Sequence, residues 1–231
     1  LDTGVFALQP SSEPEAESAL KARLFHIGDN AELVRGTVGC ETINYGTIFD
    51  GTFQGSVYNS KDISGGTFQK PVNNYGGTIS GGIFKKAVEV YATAGRNATI
   101  EGGTFEKGMK LANDDASITI SDGLFDGEVF IERCRSPLSI TGGLFTQAVN
   151  ASSIDDPTNL QITGGYFVSE PTLPNGSNIA FTSVSDQNGR HFQVLVNKGW
   201  SENNYNELYV PSGSSEQPNT ITVKTAAPLT D

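Results

Sequence analysis

The chain has 231 residues, 36% of them hydrophobic and 18% charged, with a net charge of −11. That is enough material for a substantial core, and a surface this acidic is repelled by phosphate backbones and anionic lipid, which argues against nucleic acid as a partner. No apolar run approaches the ~20 residues a membrane-spanning helix needs, so no membrane insertion is expected; two cysteines and two histidines also leave no disulfide framework, no His-rich metal site and no convincing Ser-His-Asp triad.

Residues 1–42 read as an N-terminal cap. The chain begins at Leu1 without a basic n-region or an apolar h-region, which reads as a processed chain whose export signal, if any, has been removed. Leu1-Asp-Thr-Gly4 matches the aspartic-protease tripeptide, but no strand precedes it and no second copy follows. Ser12-Glu-Pro-Glu15 is a capping box with proline just inside the first turn, and Ala16, Ala19, Leu20 and Leu24 share one helical face. This predicts a helix near 13–25, lying as a lid on the element that follows.

From residue 43 to 172 one hexapeptide recurs: IFDGTF at Ile48, then ISGGTF, ISGGIF, IEGGTF, ISDGLF, ITGGLF and ITGGYF, beginning at Ile63, Ile79, Ile100, Ile120, Ile140 and Ile162. A Phe column (Phe53, Phe68, Phe84, Phe105, Phe125, Phe145, Phe167) is followed four residues on by Val57, Val72, Val88, Met109, Val129 and Val149. Further apolar columns lie at i+2 spacing: Val90, Leu111, Ile131 and Ala151 after the Val column, and Ala98, Ile118, Leu138 and Leu160 before the later Ile positions. That spacing belongs to strands. Ile and Phe stand five apart, an odd step that a straight strand would send to opposite faces, so the chain must bend at the intervening Gly-Gly. Asp50 and Asp122 replace the first glycine, which suggests positive φ there; the second, present in every copy, is expected to lack room for a side chain.

Strand–corner–strand units of about 20 residues stack into a parallel β-solenoid whose inward ladders are the Ile, Phe and Val columns. The predicted fold is therefore all-β: a single-stranded right-handed parallel β-helix of about seven coils, the hand being favoured by the irregular coil length. Two features are expected to close it, the N-terminal helix and a C-terminal β-hairpin within 173–231. In that hairpin Ile179–Val184 and Phe192–Val196 flank a turn at Asp186–Arg190.

On these repeats the chain resembles large secreted or surface proteins of gut bacteria described as adhesin-like, and its architecture resembles the pectate-lyase-like right-handed β-helix superfamily. The resemblance covers residues 43–172. It implies coil geometry and brings no catalytic residue with it.

Candidate chemistry lies where the copies differ. Counted from the Val column, Asp115, Arg135 and Asp155 all fall at +6, so stacking would align them, with Asp114, Asp156 and Arg133 beside them. Carboxylates Asp114, Asp115, Asp155 and Asp156 could hold Ca²⁺ next to Arg133 or Arg135 acting on a uronic acid; the plainer reading is a surface ion-pair ladder worth about 0–1 kcal/mol per pair. Strand parity turns Tyr58, Tyr91 and Phe130 outward, where they could stack on sugar rings. Trp200 and Tyr205, in the Asn-rich GWSENNYNELY, form the densest polar–aromatic cluster. Tyr45 and Tyr75 recur in NYGTI and NYGGTI, which suggests a turn role as well. Cys40 and Cys134 lie four to five coils apart, too far for a bridge. No cofactor is implied beyond Ca²⁺, and the oligomeric state is left open.

The expected function is a secreted or cell-surface β-helix module for binding or adhesion, recognising carbohydrate or a host surface. The alternatives are a Ca²⁺-dependent polysaccharide lyase or hydrolase acting on acidic glycans, and a passive stalk of a larger surface protein.

Overall fold

The computed structural model describes residues 24–154, 156–177, 179–185 and 191–196. Within them the chain is a parallel β-solenoid built of strands two to six residues long and a single 3₁₀ turn. Three sheets run along it. The Val sheet and the Ile sheet each hold eight parallel strands, and the Phe sheet holds eight more with an antiparallel pair at its end. Each pass of the chain contributes one strand to each sheet, so seven steps separate the first coil from the eighth.

Coil 1 lies in the stretch read from sequence as a cap. Phe25–Ile27, Glu32–Leu33 and Thr37–Val38 pair with Thr42–Asn44, Thr47–Ile48 and Thr52–Phe53 of coil 2. Leu24 is exposed and Phe25 opens a strand, so the predicted helix does not reach its expected C-terminal end; its remainder falls in 1–23, outside the described residues.

The inward columns form the core. Every Ile, Phe and Val position of the repeat is buried, as are Val90, Leu111, Ile131 and Ala151 and the column from Ala98 to Leu160. The Phe rings stack with centroids 4.5–4.9 Å apart and planes within 3–9° of parallel. Strand spacing of ~4.8 Å sets that separation, because each ring is carried one rung along the sheet.

The corner glycines have the reverse of the expected roles. The second carries positive φ throughout, from 100° at Gly143 to 137° at Gly51. The first is the crowded one: a Cβ on Gly65, Gly81, Gly102, Gly142 or Gly164 would stand 2.0–2.6 Å from a carbonyl oxygen of the preceding coil. Asp50 and Asp122 fit there because the corner opens. Gly51 and Gly123, which follow them, have φ of 137° and 134°, against 100–111° at Gly66, Gly82, Gly103, Gly143 and Gly165. Each Asp Oδ1 then accepts from the next backbone N–H at 2.7 Å.

A polar ladder unforeseen from sequence closes the corner between the Val and Ile sheets in coils 2–4. Asn44, Asn59 and Asn74 are fully buried, in register between Ile27 below and Val90 above. The Asn44 and Asn59 amides donate onward to the next asparagine, and Asn59 and Asn74 also donate to turn carbonyls, Asn59 to Lys61 O at 3.0 Å and Asn74 to Gly77 O at 2.8 Å. The NYG phrase is thereby explained: Asn fills the turn, Tyr faces out, and the glycine is needed for φ of 72° at Gly76 and for space at Gly46, where a Cβ would lie 2.6 Å from Gly28 O. Where the connection lengthens, from coil 5 on, the Asn column becomes apolar.

Beyond coil 8, Ala180–Ser185 and His191–Val196 pair antiparallel, and Gln193 lies beside Phe167. The predicted turn at 186–190 lies outside the described residues. Phe181 sets its ring against Phe167 at 5.5 Å and 79°, edge to face.

Candidate functional site

The longest strand of the Val sheet, Val129–Cys134, carries a bulge: Leu111 pairs with Ile131, but Ala112 pairs with Arg133, leaving Glu132 extra. This one residue overturns the expected stacking of Asp115 with Arg135. Arg135 N bonds to Asn113 O, and the Arg135 guanidinium meets Asp114, with Nη1 3.0 Å from Oδ1. Arg133 Nε lies 2.9 Å from the same oxygen, but its N–H is not aimed along a hydrogen bond, so the contact is one of charge alone. Asp115 is exposed and takes part in neither contact. Asp155 lies outside the described residues.

A cleft of about 470 Å³ opens here, walled by Glu132–Arg135 of coil 7 and by Ser153, Ile154, Asp156 and Asn159 in the long connection of coil 8. Lengthened connections do therefore build a concavity. Its charged groups are already engaged. Glu132 pairs with Lys110 at 2.9 Å, and Asp114 serves two arginines. Asp156 caps the 3₁₀ turn Pro157–Asn159, accepting from Thr158 N at 2.9 Å and Thr158 Oγ1 at 2.6 Å, and these bonds hold its carboxyl below the usual range. Cys134 lines the cleft as a neutral thiol: burial, with the charge of Asp156 adding, pushes it up to about 11. It and Cys40 are unbridged. Among the described residues no three His, Cys, Asp or Glu side chains converge as a metal-binding group.

The outward face of the Val sheet is different in character. Tyr58 and Phe130 stand in one outward column, with Asn73, Glu89 and Lys110 on the rungs between, so four strand spacings of ~4.8 Å part them. Tyr91 belongs to the neighbouring column and stacks on Tyr75, centroids 5.4 Å apart and planes 14° from parallel. Its hydroxyl donates to Glu89, and this bond, with burial second, raises its pKa to about 12. Tyr45 occupies the equivalent rung of coil 2 and is exposed.

Four of the chain's seven tyrosines, Tyr45, Tyr58, Tyr75 and Tyr91, thus share one face over coils 2–5, and Phe130 stands apart on coil 7. Tyr75 could have been placed there from sequence, since it stands three residues after the inward Val72, and Tyr45 by its match to the same NYG phrase. Trp200 and Tyr205 lie outside the described residues. Comparison of the chain with protein-family models, with curated proteins and with solved structures finds no match.

Proposed function

We propose that this chain is a carbohydrate-binding module of a secreted or cell-surface protein, and that the outward face of the Val sheet over coils 2–5 is its binding surface. The observation that carries this reading is the tyrosine grouping, above all the Tyr75–Tyr91 stack, flanked on adjacent rungs by Asn73 and Glu89. Aromatic rings on a flat surface offer apolar area at low entropic cost, while amide and carboxylate groups beside them select hydroxyls. The in-register sheet repeats this chemistry along its axis, which suits an extended polymer, and a right-handed coil agrees with the usual hand of parallel crossovers. Glycan-array binding of the wild type and of Tyr75→Ala/Tyr91→Ala tests it. Binding to neutral glycans should fall by at least about tenfold in the variant, since stacking contributes roughly 0.5–1.5 kcal/mol per ring beyond area burial. A blank array for the wild type sinks the reading.

The 470 Å³ cleft keeps a second reading in play, a lyase acting on acidic glycans with Ca²⁺. In that reading Arg133 or Arg135 would have to leave Asp114 when substrate binds. Ca²⁺-dependent thermal stabilisation, lost in Asp114→Ala, together with release of unsaturated uronides, would support it.

A further inference from the structure

One corner of the solenoid carries a charge pattern that nothing above uses. Two residues after each Phe, at the turn from the Phe sheet into the Val sheet, stand Gly55, Lys70, Lys86, Lys107 and Gly127 on five successive coils. The three lysines are exposed, as is Lys85 beside Lys86. Backbone bonds hold the corner in register: Gln69 N, Lys85 N and Glu106 N each reach the carbonyl of the Phe one coil back, at 2.9 Å. Gly55 and Gly127 place no side chain over either end of the row.

Parallel, in-register stacking sets like charges about 4.8 Å apart, an unfavourable arrangement unless something neutralises it. The Val sheet's other Lys and Arg side chains each reach a carboxylate within the fold, Lys110 that of Glu132, and Arg133 and Arg135 the shared one of Asp114. On the corner of coils 3–5 the one carboxylate is Glu106, Asp126 and Glu128 flank Gly127 on coil 6, and among the described residues none of the three forms an ion pair with the lysines. A chain of net charge −11 thus keeps a positive ridge of four unpaired ammonium groups.

The ridge borders the tyrosine face, since Lys70 and Lys86 lead through Val72 and Val88 to Asn73–Tyr75 and Glu89–Tyr91. We infer that the ridge binds the sulfate groups of a sulfated glycan laid along the solenoid axis, an inference that rests on the carbohydrate-binding reading of that face. The ridge contains lysine and no arginine. An ammonium is a compact point charge with three freely turned donors, suited to a tripod of sulfate oxygens, whereas a surface for planar carboxylates gains from the guanidinium fork.

The test compares dextran sulfate with unsulfated dextran, polygalacturonate and single-stranded RNA, using the wild type, Lys70→Gln/Lys86→Gln/Lys107→Gln, Tyr75→Ala/Tyr91→Ala, and Lys61→Gln as an exposed control off the ridge. The wild type should bind dextran sulfate in a salt-sensitive way. The triple variant, with unchanged circular dichroism and Tm, should bind it at least about tenfold more weakly, and Lys61→Gln should match the wild type. Equal affinity of wild type and triple variant for dextran sulfate overturns the inference. So does tighter binding of polygalacturonate, or equally strong lysine-dependent binding of RNA. Tyrosine-dependent binding of neutral glycan with no lysine effect sinks the ridge and leaves the tyrosine face standing. Lysine-dependent binding of dextran sulfate that survives Tyr75→Ala/Tyr91→Ala keeps the ridge and removes the tyrosine face.

Discussion

The side-chain amide of Asn59 donates to the carbonyl oxygen of Asn74, one coil further on, across 2.7 Å, in a site from which water is excluded. Asn59 also accepts from Asn44 at 2.6 Å, so it is the link through which the ladder is continuous. Replacing it by alanine leaves Asn74 Oδ1 without its donor and removes one acceptor of Asn44. Asn59→Ala should cost about 2–4 kcal/mol in urea unfolding, two orphaned buried groups at about 1–3 kcal/mol each less partial relaxation. Asn73→Ala, partly exposed on the outer face, should change stability by less than about 0.5 kcal/mol.

In the Phe stack, Phe105 lies between Phe84 and Phe125 at 4.8 and 4.9 Å. Phe105→Ala should lower stability by about 3–5 kcal/mol, and Phe105→Leu by about half as much, because leucine refills most of the space and loses the ring contacts. Denaturant titration of the two variants distinguishes a packing requirement from a merely apolar one.

At the corner of coil 5 the two glycines should respond differently. Gly103 has φ of 108°, so Gly103→Ala is strained whatever the space, by about 1–3 kcal/mol. Gly102→Asp should be milder than Gly102→Ala. Both must move Cβ from the Ser80 carbonyl, 2.6 Å away, but the aspartate can accept from the following N–H as Asp50 and Asp122 do. The order of the three Tm values checks this.

Tyr91 supplies a pH signature. Its folded pKa, about 12, lies above the ordinary 10, because the neutral hydroxyl donates to Glu89. A raised pKa means that the folded state holds the proton more tightly, so the contribution is complete below pH 10 and lost as pH rises toward 12. Tyr91→Phe should remove a late-titrating tyrosine from the alkaline absorbance curve. The stability difference between wild type and variant should shrink across that same window.

Cys134, its thiol pushed up to about 11 by burial, should resist alkylation at neutral pH while the half-buried Cys40 reacts. Mass spectrometry of partly labelled native protein, against unfolded protein as control, reads the ratio directly.

The ladders were legible because each inward position recurs in the same chemical type, which periodicity alone detects. Coil 1 was missed because its hexapeptide, Leu33-Val-Arg-Gly-Thr-Val38, puts Val38 where Phe stands elsewhere; Leu33, Gly36 and Thr37 keep the pattern. The asparagine ladder was missed because a polar residue at an inward position reads as outward until its partners a coil away are known. The pairing of Arg135 depended on a bulge that no count along the chain reveals, since an extra residue in a strand and one in a loop look the same in sequence. The corner glycines were recognised and their roles exchanged: tolerance of Asp50 was read as backbone freedom, when it reflected a corner able to widen.

The edge-on ring of Phe181 marks where the repeat stops on the Phe sheet. A flat ring presented face-up invites another flat ring above it, and a stack of identical rungs holds no internal reason to end at any number. By turning through 79°, Phe181 offers the Phe167 ring an edge, and the antiparallel strand His191–Val196 occupies the hydrogen-bonding edge beside it. On the Phe sheet the parallel repeat is thereby broken at this end: the next strand runs the other way and the next ring no longer offers the face on which an eighth phenylalanine would lie.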